Sequence, residues 1–199
     1  MDFENTFLYF FSTIPQVLSG LIALLGVFVL FKFQSIKSAI VSFGRQTLDY
    51  LDEDFILKIS DDHINSMKKN LQHGIVRNDQ ETVASQVSGI NTQLKKNVDT
   101  NSLTKHQESI LWKINHNNEI QFNCLTLYNT ISGRTKIILL NSGIVIILSL
   151  IFLLIVPILT SEGTCLLYPF VGAGIILIWF GYCIVETIKI IKTSINRDY

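Results

Sequence analysis

Three apolar stretches, Phe7–Phe31, Ile137–Leu159 and Cys165–Ile188, interrupt an otherwise polar chain. A bilayer core about 30 Å thick is crossed by about 20 helical residues, so each stretch is long enough to span one. Ile137–Leu159 alone holds eighteen Leu, Ile, Val or Phe residues. At roughly −0.3 to −0.6 kcal/mol each, these outweigh the penalty of Asn141 in the same stretch. The first stretch is uneven. Its start is aromatic (Phe7, Tyr9, Phe10, Phe11), and Pro15 and Gln16 follow. Val17–Phe31 is only about 22 Å long as a helix, so the aromatic turn must complete a crossing. Pro15 removes a helical hydrogen bond and is expected to kink the helix or mark its start.

Between the first two stretches the apolar spacing is helical. Ile36, Ile40, Phe43, Leu48, Leu51 and Phe55 extend the first helix to about Tyr50, with Gly44 a mild weak point. Ser60 is the expected N-cap of a short helix carrying Ile64, Met67 and Leu71, with Gly74 just past its end. Asp79 caps the next helix, where Val83, Val87, Ile90, Leu94 and Val98 recur at steps of four and three. Asp99–Ser102 reads as a loop. Thr104 and Gln107 have capping-box spacing. Leu103, Gln107, Ile110, Ile114, Phe122, Leu125 and Tyr128 then predict one long helix feeding the second apolar stretch, weakened at Asn115–Asn118.

Charge orients this pattern. All sixteen Lys and Arg residues lie in 32–136 or 189–199, whereas 1–6 and 160–164 carry only Asp2, Glu4 and Glu162. Basic residues beside spans stay cytoplasmic. The expected fold is an all-α integral membrane protein: outer N-terminus 1–6, transmembrane helix 7–31, cytoplasmic all-α domain 32–136, transmembrane helix 137–159, outer loop 160–164, transmembrane helix 165–188 and cytoplasmic tail 189–199. A mean hydropathy of +0.38 agrees with burial in lipid. Asp2 and Glu4 before the first span, and Lys32 and Lys37 after it, invert the charge order of a secretory signal. Of the three cysteines, Cys165 alone falls on the outer side, either as a packing residue or as a bridge to its copy in a neighbouring subunit.

The chemistry-bearing residues form no reactive constellation. Asp49, Asp52, Glu53 and Asp54, with Asp61 and Asp62, make the densest acidic cluster, read as a solvated face and helix-start charge rather than a cation site. His63 and His73, and His106 and His116, stand ten apart, off the i, i+4 spacing of helical metal sites. The sequence has no phosphate-binding loop and no G-x-G-x-x-G, since Gly172 and Gly174 lie inside a span. Lys68-Lys69 and Lys95-Lys96 are too sparse for a nucleic-acid surface at zero net charge. No catalytic, metal-binding or cofactor-binding residue is assigned, and no enzyme activity or nucleic-acid partner is expected.

Polar and small residues in the spans are the remaining candidates. Ser142 and Ser149, and Gly174 and Gly181, each stand seven apart, as in close-packed helix seams. Asn141 and Glu186 are the candidates for a polar path, with Lys189 placed to pair with Glu186 at i+3. The span order resembles the three-span proton-channel subunits of the TolQ and ExbB type, which share the outward N-terminus, long cytoplasmic helical insertion, tight outer loop and inward C-terminus. The resemblance covers topology and no motif. The Gly-rich entry of their second span, and the paired threonines and Ala-Ile-Pro turn of their third, are absent from IILLNSGIVIILSLIFLLIVPIL and CLLYPFVGAGIILIWFGYCIVETI. No channel residue is therefore carried over. The function expected is that of a small bacterial inner-membrane protein that forms a homo-oligomer in the lipid bilayer. Its cytoplasmic helices would engage a soluble protein partner or relay a signal. The alternative is a toxin-like or phage-defence channel gated from the cytoplasm.

Overall fold

The computed structural model describes residues 3–98, 103–161 and 167–195. Among them every regular element is a helix: α1 (Phe3–Tyr50), α2 (Asp54–Ile59), α3 (Asp62–Arg77), α4 (Gln80–Asn97), α5 (Lys105–Ser161) and α6 (Leu167–Ile195). The expected loop Asp99–Ser102, and Glu162 and Cys165, lie outside the described residues. The chain divides into two compact units, Met1–Phe31 with Asn129–Asp198, and Lys32–Tyr128.

The first unit is built from segments of α1, α5 and α6, each long and apolar enough to cross a membrane. Its core joins Phe7, Phe11, Ile14 and Leu18 of α1 to Val145 and Val156 of α5 and Ile176 and Cys183 of α6. The Phe11 and Phe152 rings stack at 5.2 Å, and Phe7 meets Phe170 edge-on at 4.9 Å. Such aromatic pairs add about 0.5–1.5 kcal/mol beyond their area. Pro15 neither begins α1 nor ends it, because the helix starts at Phe3 and runs through it. Just before it, the hydroxyls of Ser12 and Thr13 both donate to the Tyr9 carbonyl.

The second unit is a small helical domain with a conventional apolar interior. Ile36 and Ile40 of α1, Ile56 of α2, Leu71 of α3, and Val83, Val87 and Ile90 of α4 are fully buried. Local signals set its joints. Asp61, rather than Ser60, caps α3 by accepting from the Ile64 N–H at 2.8 Å, while Ser60 closes the short helix α2. Gly74 does not end α3. The helix runs on to Arg77 and stops at Asn78, whose φ of 55° and ψ of 39° are left-handed. Asn tolerates that region better than most residues. Gly74 is kept small for packing, since a Cβ there would lie 3.1 Å from the Thr82 methyl group. Asp79 caps α4 as expected, accepting from the N–H groups of Glu81 and Thr82. The capping box at α5 is formed: the Thr104 N–H donates to Gln107 Oε1 at 2.9 Å, and the Gln107 N–H reaches Thr104 Oγ1 at 3.4 Å.

The two long helices bury different periodicities. In α1 and its end, Phe7, Phe11, Ile14, Leu18, Ile22, Leu25, Val29, Phe33, Ile36, Ile40, Gly44, Thr47 and Leu51 are buried or half-buried, an eleven-residue repeat. That is 3.67 residues per turn, on the opposite side of the ideal 3.6 from a seven-residue repeat. In α5 the steps alternate four and three: Ile110, Ile114, Asn117, Gln121, Cys124, Tyr128, Ile131, Thr135, Ile138, Ser142, Val145, Ser149, Phe152 and Val156. This seven-residue repeat is the spacing of a coiled-coil seam.

Candidate functional site: polar positions along the helix seams

The α5 seam is polar where an apolar residue is expected. Within the helical domain, Asn117 and Gln121 face inward, while Phe122, one of the apolar residues that predicted the helix, is 68% exposed. The buried face therefore lies about one residue away from the apolar one. The Asn117 side chain donates to Thr47 Oγ1 at 3.2 Å and to the Phe43 carbonyl at 3.4 Å. Thr47 Oγ1 donates to the same carbonyl at 2.9 Å. Gln121 Nε2 donates to the Ile40 carbonyl at 3.0 Å, and its buried Oε1 has no partner. Asn115 accepts from Asn91 and Lys95 and donates to Glu119. The run Asn115–Asn118 thus does not break α5. Cross-helix hydrogen bonds, each worth about 0.5–1.5 kcal/mol net, offset its poor propensity.

In the apolar unit, Ser142 and Ser149 are fully buried on α5 and Ser194 is nearly so on α6. None of the three hydroxyls has a hydrogen-bond partner. Thr187, also buried, donates to the Cys183 carbonyl at 2.8 Å. Asn141 stands half-buried beside Ser142. Glu186 is bonded to Lys189 at 2.6 Å, with the carboxylate side chain 18% exposed. Gly174 and Gly181 are placed differently from the serines: a Cβ at either would meet nothing within 4 Å. The glycine pressed by a neighbour on α6 is Gly172, over which the Phe152 ring sits. Within one chain, then, the four small-residue candidates are not brought into one seam. The serines point inward and the two glycines face open space.

The acidic cluster is spread out. Asp52 pairs with Lys68, Glu53 stands 3.9 Å from His106, and Asp61 is used as a cap. Among the described residues no three His, Cys, Asp or Glu side chains gather as a metal site would require. His116 stacks on Trp112 at 4.9 Å. The carboxyl of Asp61 is held below its ordinary 3.8, first by the Ile64 N–H, and that of Asp79 first by the Thr82 hydroxyl. Burial pushes the Cys124 thiol up to about 11, against a small opposing pull from Lys32. The helical domain also carries a groove of about 560 Å³ lined by Gln34, Lys37, Ser38, Val41, Ser42 and Arg45 of α1 and by Ile75, Val76 and Asn78. Sequence reasoning missed it. The i, i+4 rows on α1 signalled a polar face, but nothing in the sequence places α3 beside them. Comparison with protein-family models, curated proteins and solved structures finds no match to this chain.

Proposed function

We propose that this chain is a non-enzymatic bacterial inner-membrane protein that assembles with copies of itself. Its helical domain lies in the cytoplasm and engages a soluble partner or relays a signal to the membrane segments. The observation that carries this is the outward apolar face of the three-helix unit: Leu24, Leu154 and Ile178 are each more than 70% exposed. Soluble monomers rarely expose contiguous apolar surface beyond a few hundred Å². Lipid is the solvent such a face requires, and the one-sided Lys and Arg distribution supports an outer N-terminus and a cytoplasmic C-terminus. The open Gly174 and Gly181 column supports close approach of a second copy. Native mass spectrometry of the full chain in several mild detergents tests the assembly. A defined oligomer is expected, and monomer throughout sinks the proposal.

A second reading, an ion-conducting effector gated from the cytoplasm, is favoured by the buried unpartnered hydroxyls of Ser142, Ser149 and Ser194. Buried polar groups ordinarily have partners, and water is the commonest one that protein atoms do not supply. Proteoliposomes then leak ions, and Ser142→Ala with Ser149→Ala changes the leak. Liposomes that stay tight with and without cytosolic extract argue against it.

A further inference from the structure

We infer that the groove on α1 of the helical domain binds a phosphate-bearing anion through Lys37 and Arg45. Two adjacent rows of α1 line it. Lys37, Val41 and Arg45 stand at i, i+4, i+8, and Gln34, Ser38 and Ser42 do the same beside them. Side chains four apart on a helix project side by side. One row supplies two cations and the other supplies an amide and two hydroxyls, the donor set that grips phosphate oxygens. Their backbone positions are about 12 Å apart along the helix axis, a span that two long side chains can close around one headgroup-sized ligand. Among the described residues neither Lys37 nor Arg45 takes part in an ion pair. No carboxylate lines the groove. The nearest acid in play is Asp79, whose carboxyl Lys37 helps to lower, but that carboxylate is already engaged with Thr82 and the first turn of α4. Ile75, Val76 and Asn78 form the opposite wall, and Val76 is 84% exposed, so the site also offers carbon-bearing parts of a ligand an apolar edge. A volume of about 560 Å³ is in the range of small-ligand sites.

The phosphate has two sources. Gln34 follows Phe31 by three residues in α1. On the membrane reading proposed above, the groove starts at the cytoplasmic headgroups, where an anionic lipid supplies it. A soluble phosphate ester supplies the same chemistry from the cytosol. The test titrates the full chain in mild detergent with phosphatidylglycerol, with phosphatidylcholine and separately with inorganic pyrophosphate, counting adducts by native mass spectrometry. One saturable phosphatidylglycerol adduct is expected, absent with phosphatidylcholine. It should weaken roughly 30-fold in the K37Q/R45Q variant, the share of two cations facing an anionic headgroup, and stay unchanged in K69Q/K96Q, which removes the same charge elsewhere. The same pattern with pyrophosphate alone assigns the site to a free phosphate. Equal retention by all variants, or no adduct with either anion, overturns the site. A chain that binds pyrophosphate and stays dispersed without detergent counts against the membrane reading and not against the groove.

Discussion

Gly44 separates helix propensity from packing. It sits inside α1, where replacing glycine by alanine ordinarily stabilises a helix by about 0.8–1.0 kcal/mol. Here a Cβ would lie 2.5 Å from Val83 Cγ1, with Leu71 Cδ1 at 3.6 Å and Gln121 Nε2 at 3.7 Å. Val83 is fully buried, and its β-branched side chain has a single strongly preferred rotamer in a helix. The methyl cannot swing away, so α1 or α4 must shift. Overpacking of this kind costs about 1–3 kcal/mol, and a clash this close belongs in the upper part of that range. After the propensity gain, Gly44→Ala is expected to destabilise by roughly 1–2 kcal/mol.

Gly89→Ala is the matched control. Its Cβ would meet Met67 Sδ at 2.7 Å, and the next contact is Met67 Cε at 3.9 Å. A methionine thioether is unbranched and adaptable, so it moves aside at small cost. Gly89→Ala should leave stability unchanged or raise it by up to about 1 kcal/mol. Thermal unfolding of the full chain in detergent, followed by circular dichroism, reads both. For a chain of this size about 1 kcal/mol shifts Tm by roughly 2–4 °C. Hydrogen exchange of the peptides covering α1 and α4 locates the loss. A Gly44→Ala protein that melts at or above the parent would refute the close approach of α1 to Val83 and the inward placement of Gly44.

Further outcomes follow from the same geometry. Asn117→Ala removes the donor to Thr47 and Phe43 and should cost about 1–3 kcal/mol, whereas Phe122→Ala, on the exposed face of the same helix, should cost under about 0.5 kcal/mol by the same melt. Asp61 and Asp79 have lowered carboxyls, so their ionised forms stabilise the caps of α3 and α4. That contribution is fully present above the ordinary 3.8 and is lost as pH falls through the lowered folded values. Amide protection factors in the first turns of α3 and α4, which divide out the intrinsic pH dependence of exchange, should fall only below about pH 4, and a fall between pH 5 and 7 would contradict the capping assignment. Cys124 is fully buried with a thiol raised to about 11, so maleimide at neutral pH should miss it in the native protein from either side of a membrane. Its silence therefore cannot report orientation. Lys69→Cys, on the exposed face of α3 and in a chain that also carries Cys165→Ser, should label only after permeabilisation of cells, and labelling in intact cells would reverse the proposed topology.

What the sequence made legible was whatever depends on neighbours along the chain. The long apolar helices, the Asp79 cap, the Thr104–Gln107 box and the length of α1 all rest on residues within a few positions of one another. The failures rest on where an adjacent element ends or on contacts with other helices. Ser60 and Asp61 are both good N-caps, and the choice between them depended on where α2 stops. Gly74 resembled a helix end because glycines often terminate helices, yet its small size serves the packing of α4. Asn115–Asn118 resembled a weak point because its partners, Asn91, Lys95, Thr47 and Phe43, lie on other helices. The candidate span residues divided in the same way. The Glu186–Lys189 pair, three apart, is formed, whereas seven-residue spacing alone could not tell inward serines from outward glycines.

The α5 seam explains why the apolar residues that predicted this helix do not all mark its buried face. Between Ile114 and Val156, one column of its heptad carries a polar group at five successive steps: Gln121, Tyr128, Thr135, Ser142 and Ser149. A hydrophobic stripe search therefore drifts onto Phe122 and Leu125, which stand beside the seam. Polar seam positions give up burial energy, and in coiled coils they specify register against competing alignments. The same logic applies here with different partners in each unit. In the helical domain Asn117 and Gln121 reach carbonyls of α1, and Asn117 also reaches Thr47 Oγ1, a side-chain partner that a one-turn slip of α5 would remove. In the apolar unit Ser142 and Ser149 bond to nothing, so register cannot be their return. Their small size permits close helix approach. The two halves of one repeat thus carry separable roles. Ser142→Ala with Ser149→Ala preserves size and should leave folding nearly unchanged while altering any leak, whereas Asn117→Ala should lower stability whether or not a path exists.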